Sequence, residues 1–309
     1  MMNEVTSSLK TKAQTGGAGL RCRRIWTLAM ATVTQLMRMK ILAFLIIFCV
    51  LLAGVGFGFS HVSAEQQLSL IKSVSLWALQ VFSMVIGVVS TALLLPKDME
   101  DRTLYTILAK PVPRFDYLAG KLLGVLVLIA SGLVVMDLLL SCVIWLRQGQ
   151  VLQDTLQYMA MQGQDTPETQ ARMQEIVARQ GLTWNLHWAV FAIFLKAAVV
   201  TAMTLVLACV ASSTLFTVVT AFCMVLIGHC EGLLREFFLH PYLNAGAERL
   251  GGLALALLFP DLALFDVTDS VVEGQIVSWA AVRDMAGIGA MYLVGYLTVA
   301  HLLFVEKEL

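Results

Sequence analysis

The sequence predicts an all-α integral membrane protein with six transmembrane helices and both termini on the inner side. Of its 309 residues, 59% are apolar and only 14% are charged, and the mean hydropathy is +0.81. Soluble chains average roughly 45–50% apolar and about 25% charged residues. The apolar residues also fall into long uncharged runs, near the roughly 20 residues that a helix needs to cross a bilayer. These observations exclude a soluble single domain, a disordered chain and a secreted disulfide scaffold.

The N-terminal segment 1–20 is polar and rich in Gly, Ser and Thr, and we expect a mobile tail there. The rest of the chain, 21–309, is predicted to form one transmembrane domain. From 21 to 40, apolar residues recur with i, i+3, i+4 spacing between clusters of Arg and Lys, which is typical of an amphipathic helix on the inner leaflet. Such a helix serves as a topology anchor, as an elbow beside the first span, or as both. Its predicted apolar face consists of Ile25, Leu28, Ala29, Thr32, Val33 and Leu36.

The six predicted spans are 41–60, 73–95, 122–146, 186–211, 214–230 and 285–305. Pro96 is expected to close the second span. Only Ser212 and Ser213 separate the fourth and fifth spans, but a single helix would be about 67 Å long, roughly twice the membrane, so we predict a tight hairpin. A further run, 250–265, is too short to span and is interrupted by a proline, so we expect a re-entrant or interfacial outer segment there.

The distribution of basic residues predicts the orientation of these spans. Of the 21 Lys and Arg residues, 13 lie in the shorter segments 1–40, 96–121 and 306–309, and 7 lie in the longer segments between the other span ends. Loops on the cytoplasmic side carry the excess of Lys and Arg. The sequence therefore predicts an inner N-terminus and an inner C-terminus, which an even number of spans requires.

The predicted outer loop, 147–185, contains one helix of its own. Thr166 followed by Pro167 and Glu168 is typical of a helix start, and Gly181 can end the helix. We expect this helix to lie against the membrane. Its apolar face is Met173, Ile176 and Val177.

The inner segment 96–121, between spans two and three, is predicted to contain a short amphipathic helix outside the bilayer. Asp98 can cap it, acidic residues occupy its first turn, and prolines stop it. Because it is held between two spans, such a helix is suited to transmit force to a soluble partner; the alternative is a solvated connector. Its apolar stripe is Leu104, Ile107 and Leu108.

The pattern E-x-R-T-L-x-x-x-L-x-K-P-V-x-R-x-x-Y-L-x-G-K over residues 100–121 resembles the coupling loop of ABC transporter permeases of the ABC-2 type exporter class. The stretches 212–234 and 259–267 and the ending FVEKEL are similar to other parts of the same family. The resemblance covers the chain from the first span to the C-terminus, apart from 147–185.

This resemblance implies that the chain is a transmembrane permease subunit of a bacterial inner membrane and that it is not itself an enzyme. The chain has no GxxxxGK[ST] motif, so we expect no cofactor here, with ATP and Mg on a separate ABC ATPase subunit. A second permease chain, identical or homologous, is expected to pair with it in the membrane lipid, and no nucleic acid is expected. Two alternatives stay open: a non-transporting scaffold that tethers an ATPase or an outer complex, and an intramembrane enzyme. The residues expected to couple to the ATPase are Glu100, Asp101, Arg102, Thr103, Leu104, Leu108, Lys110 and Arg114.

Asp137 and Lys196 lie well inside predicted spans three and four, each roughly 13–15 Å from the outer end. Because unpaired charges in a bilayer are costly, we predict an ion pair, either between these two spans or across a dimer. Two GxxxG pairs, at 120 and 124 and at 228 and 232, suggest close approach of helices. No metal site is expected. The candidates for an outer gate are His229, Glu231 and Pro260.

Overall fold

The computed structural model describes residues 2–37, 42–58, 64–100, 113–163, 166–211, 213–239 and 259–306. Within these ranges the chain is helical almost throughout and contains no β-strand, which confirms the all-α class. The helices, in chain order, are α1 (Met2–Met37), α2 (Leu42–Gly58), α3 (Ala64–Glu100), α4 (Arg114–Met161), α5 (Pro167–Gln180), α6 (Trp184–Val210), α7 (Thr214–Leu239), α8 (Thr268–Val272) and α9 (Trp279–Glu306), with a 3-10 turn at Ala263–Phe265.

Five candidate membrane spans lie in the described part of the chain, and they fall on α3, α4, α6, α7 and α9. These helices contain the predicted spans two to six, apart from Ala211 at the end of span four. The predicted first span, 41–60, corresponds to α2, which has 17 residues. At 1.5 Å per residue, α2 is about 26 Å long, somewhat short of the ~30 Å hydrocarbon layer. A six-span topology therefore remains a prediction, while a multi-pass helical membrane protein is established.

Helix α6 lies at the centre of the bundle. It packs against α3, α4, α7 and α9, and most of its side chains are buried, including the polar Thr201 and Thr204. Both hydroxyls donate to the carbonyl oxygen four residues earlier in the same helix, at 2.7 and 2.8 Å. Their hydrogen-bonding capacity is thus satisfied without a partner helix, which allows threonine in an apolar core.

Helix α1 packs along α4, with the predicted apolar stripe turned toward the protein. Ala29, Thr32 and Leu36 are buried and the other stripe residues are half-buried, whereas Trp26, Met30 and Met37 on the opposite side are exposed. The predicted stripe is thus the covered face of α1, but a neighbouring helix covers it. The location of α1 on the inner leaflet and its role as an anchor or elbow remain predictions. Because α1 begins at Met2, the segment 1–20 is helical from its second residue, and its mobility remains a prediction.

Two helices extend well beyond the predicted spans. Helix α3 continues through Pro96 to Glu100, so Pro96 does not end it; a proline there removes only one donor, close to the helix end. Helix α4 has 48 residues, about 72 Å, and reaches far past residue 146. The apolar run fixed only the membrane part of each helix, because helix formation continues through polar residues that favour it.

The region 147–185 is consequently a helical hairpin formed by the end of α4 and by α5. The reversal includes Gly163, whose φ of 68° is readily adopted only by glycine. The predicted start of α5 is confirmed: the Thr166 hydroxyl accepts a hydrogen bond from the Thr169 N–H, and Pro167 is the first helical residue. Val177 is buried, Met173 and Ile176 are half-buried, and α5 lies against α3 and α4.

The fourth and fifth spans are separate helices, as predicted. Helix α6 ends at Val210, Ala211 has an extended conformation with ψ of 146°, and α7 starts at Thr214. The two helices then pack against each other. Of the predicted outer segment 250–265, residues 250–258 lie outside the described residues.

Candidate functional site

The predicted ATPase-coupling residues fall mostly outside the described part of the chain. Glu100 is the last residue of α3, and Arg114 is the first residue of α4. The six between them, Asp101, Arg102, Thr103, Leu104, Leu108 and Lys110, lie outside the described residues, as does the predicted amphipathic helix apart from its start. The structure does describe the helices on both sides of this loop.

Arg114 attaches the start of α4 to the end of α9. Its Nη1 donates to the carbonyl oxygens of Phe304, at 3.2 Å, and Val305, at 2.8 Å. The last carbonyls of a helix have no partner within the helix, and a cation is stabilised there by the helix dipole. Arg114 therefore joins two distant parts of the sequence, and its predicted contact with an ATPase remains a prediction.

Aromatic packing reinforces this junction. The Tyr117 ring stacks on Phe304 with centroids 6.0 Å apart, and Phe115 meets His301 edge-on at 5.5 Å. Tyr117 and Phe304 are essentially fully buried. The first turns of α4 and the last turns of α9 thus form one packed unit at the end of the bundle that we call the coupling-loop end, defined by residues 113–121 and 300–306.

Helix α1 joins the same unit through two glycines. A Cβ atom at Gly120 would lie 2.6 Å from the Cβ of Leu28, and one at Gly124 would lie 2.6 Å from the Cβ of Thr32. Only glycine permits this approach, which confirms the prediction that the 120/124 pair is a close-packing site. Lys121, between them, donates to the Gln35 side chain at 3.2 Å and lies over the Tyr117 ring.

The charges inside the predicted spans do not pair with each other within the chain, contrary to prediction. Asp137 Oδ2 lies 2.7 Å from His187 Nδ1, and Lys196 Nζ donates to Asp266 Oδ2 at 3.5 Å. Asp137 does contact the predicted neighbouring helix, but through a residue nine positions earlier than Lys196. Pairing across a dimer remains a prediction.

The reason for this correction is the register of α4 against α6. The predicted depths were counted from the ends of the apolar runs, but α4 continues to Met161. The ends of the runs therefore do not indicate how the two helices align. With Asp137 opposite His187, Lys196 lies about 13 Å further along α6. There it contacts the segment before α8. That segment has no helical periodicity, so its position could not be predicted from the sequence.

Lys72 on α3 is a buried cation that the sequence analysis did not identify. Its side chain is fully buried, and its Nζ has no hydrogen-bond partner among the described residues. It was missed because it lies just before the predicted span 73–95 and was counted with the outer segment. The signal that could have identified it is the apolar spacing of Leu68, Ile71 and Leu76, all buried, which places Lys72 on the covered side of the helix.

The second GxxxG pair serves a different kind of contact from the first. A Cβ at Gly228 would lie 2.8 Å from the carbonyl oxygen of Pro260, and the Leu262 N–H donates to the Gly228 carbonyl at 3.0 Å. The glycine pair on α7 thus accommodates an irregular segment rather than a helix. Asp261 is buried and accepts from the Ala263 N–H at 3.1 Å, which stabilises the turn.

The three gate candidates lie close together along this contact. Pro260 is buried against α7, Glu231 is buried, and the half-buried His229 has its Nδ1 2.8 Å from the carbonyl oxygen of Val225 in its own helix. The described residues include no group of three His, Cys, Asp or Glu side chains arranged to hold a metal. A gating role for these residues remains a prediction.

Long apolar helices around a buried central helix, with buried polar groups bonded inside the bundle, define a multi-pass membrane protein. Residues 79–229, just under half of the chain, match the family described as ABC-2 family transporter protein. This match supports an ABC-2 type permease, in line with the resemblance of residues 100–121. No curated protein matches the chain significantly.

Proposed function

We propose that this chain is the permease subunit of an ATP-driven ABC exporter and that a separate ABC ATPase docks on the loop between α3 and α4. The observation that carries the proposal is the ABC-2 transporter domain at 79–229, which includes the whole of that loop. Members of this family are the membrane subunits of transporters and are generally not catalytic, so hydrolysis belongs to the partner.

The packing at the coupling-loop end supports a mechanical role for this loop. Residues 113–121, directly after it, contact α9 through Arg114 and Tyr117 and contact α1 through Gly120. A displacement of the loop by a bound ATPase would therefore move the start of α4 together with α1 and the end of α9. The displacement would thus act on three helices rather than on one.

The same packing supports the proposed orientation. Helix α1 carries the exposed basic residues Arg21, Arg23 and Arg24 and lies at the coupling-loop end, as the predicted inner location of both segments requires. We propose that this end faces the cytoplasm of a bacterial cell and that a second permease chain completes the transport pathway. The gate residues of α7 and segment 259–265 would then serve the opposite side.

Arg114 provides the test of this coupling, after purification of the chain with its ATPase in lipid nanodiscs. In Arg114→Gln the two hydrogen bonds to α9 lose their charged donor, and we expect substrate-stimulated ATP hydrolysis to fall about tenfold. The complex should still co-purify, because Arg114 is engaged within the permease. The matched control is Arg283→Gln, since Arg283 is exposed and contacts only its neighbour Asp284 among the described residues.

Two variants inside the loop test the docking itself. Arg102→Glu and Leu104→Asp should each reduce co-purification of the ATPase. Full co-purification and full stimulated hydrolysis in all three variants would refute the proposal. ATP turnover that no transported compound alters would instead favour the scaffold.

A further inference from the structure

A cleft between α2 and α4 has the shape and the chemistry of a binding site for an amphiphile. Its volume is about 330 Å³, within the range of roughly 300–1,000 Å³ that is typical of ligand pockets. Most of its lining is apolar, with Leu52 and Ala53 on one wall and Leu139 and Val143 on the other. Arg147 contributes its one charged side chain, and Gln150 lies beside it.

The polar and apolar parts of the cleft are separated along the axis of α4. From Leu139 to Arg147 the helix rises about 12 Å. Predicted span three ends at residue 146, so Arg147 is the first charged residue beyond the predicted hydrocarbon layer. The cleft therefore has an apolar depth inside the predicted membrane and a cation at headgroup level.

Among the described residues, Arg147 is held in place by two uncharged side chains. Its Nη1 donates to Gln150 Oε1 at 2.9 Å and its Nη2 to Gln67 Oε1 at 3.3 Å. Both acceptors are uncharged amides, and the Nε is buried without a partner among the described residues. A guanidinium that is fixed by uncharged side chains is suited to a phosphate, which accepts several hydrogen bonds and carries a negative charge.

We propose that this cleft binds one anionic phospholipid, with its phosphate on Arg147 and an acyl chain between α2 and α4. Basic pockets between membrane helices are suited to anionic headgroups, and the apolar depth selects a molecule that also carries a chain. The site goes beyond the proposed function, because lipid binding here depends neither on an ATPase nor on transport. Free phosphate shares the headgroup chemistry but cannot fill the apolar depth.

The test is native mass spectrometry of the full chain released from bilayers of equal phosphatidylglycerol and phosphatidylcholine. We expect wild type to retain one phosphatidylglycerol about fivefold more often than phosphatidylcholine. Arg147→Gln should remove this preference, whereas Arg283→Gln, at an exposed arginine on α9, should keep it. Ala53→Phe fills the cleft and should remove the retained lipid of either kind, whereas Ala281→Phe, at an exposed position on α9, should not.

Three results would overturn the proposal. Wild type could retain both lipids equally, which decides the question even where a variant fails to fold. Arg147→Gln or Ala53→Phe could retain phosphatidylglycerol as wild type does. Inorganic phosphate at millimolar concentration could displace the retained lipid, which would identify a phosphate site instead. Loss of ATPase coupling with lipid retention intact would separate a failure of the proposed function from a failure of this site.

Discussion

Three charged side chains inside the helix bundle, those of Lys196, Asp137 and Lys72, differ in their partners. Lys196 is buried to 1% exposure and meets the carboxylate of Asp266, which remains 43% exposed. Asp137 shares a short contact with the partly exposed His187. Both of these charges contact a partner that lies closer to the surface, which limits the desolvation of the pair. Lys72 differs, since no described residue bonds its Nζ.

Replacement of Lys72 by methionine should therefore stabilise the protein. Methionine has nearly the same length and flexibility, so the packing is kept while the cost of an unsatisfied buried cation is removed. We expect the free energy of unfolding to rise by about 1–3 kcal/mol, measured as a higher thermal unfolding temperature in a defined detergent. The matched control is Lys121→Met, which should lower that temperature because Lys121 donates to Gln35.

An unchanged or lower unfolding temperature in Lys72→Met would mean that the ammonium group has a partner outside the described residues. A rise in stability accompanied by a loss of transport would show that the charge is kept for function at a cost in stability.

The contact between α1 and α4 can be tested by a pair of glycines on one helix. At Gly124 even a methyl group would lie 2.6 Å from Thr32 Cβ and 2.8 Å from the Ala29 carbonyl oxygen. At Gly132 an added Cβ meets nothing within 4 Å. Alanine favours helix over glycine by roughly 0.5–1 kcal/mol, so the intrinsic effect is the same at both positions and only the contact differs.

We therefore expect Gly132→Ala to raise the unfolding temperature and Gly124→Ala to lower it, by differential scanning fluorimetry in the same detergent. Proteolysis near residue 20 should also become faster in Gly124→Ala as α1 separates from α4. Equal shifts in the two variants would show that α1 does not depend on this contact.

Elements that carry their own local signals could be predicted from the sequence. The start of α5 was predictable because a threonine cap and a proline at the first position act within four residues. The α1 stripe was predictable because periodicity identifies the covered face without naming what covers it. The lengths of α3 and α4 were not, since the apolar runs mark only the membrane part of each helix. Gly163, just past the end of α4, is a local signal that could have located that end.

The candidate site was less predictable, because it depends on how helices align rather than on local pattern. The partner of Lys196 lies 70 residues away, in a segment without helical periodicity. The partner of Arg114 is a pair of backbone carbonyls, which leaves no trace in residue types. By contrast, Gly120 and Gly124 were recognisable, because only small residues allow helices to approach this closely.

The orientation of the whole molecule can be tested with one native cysteine and one introduced cysteine. Cys22 is exposed and lies among the basic residues of α1, at the coupling-loop end. Arg172 is exposed on α5, beyond the opposite end of α4.

With the other native cysteines replaced by serine or alanine, two single-cysteine chains should report opposite sides, one with Cys22 and one with Arg172→Cys. In intact spheroplasts a membrane-impermeant maleimide should label only the second chain, because the α4–α5 hairpin projects outward if the basic end faces inward. Cys22 should be labelled after permeabilisation, and labelling in detergent checks that both thiols can react. Labelling of Cys22 in intact spheroplasts, with Arg172→Cys protected, would show that the orientation is the reverse of the proposed one. The proposed ATPase-docking loop would then lie outside the cell. Labelling of both chains would mean that both positions lie outside and that an even number of spans separates them, as is the case if α2 does not cross the bilayer.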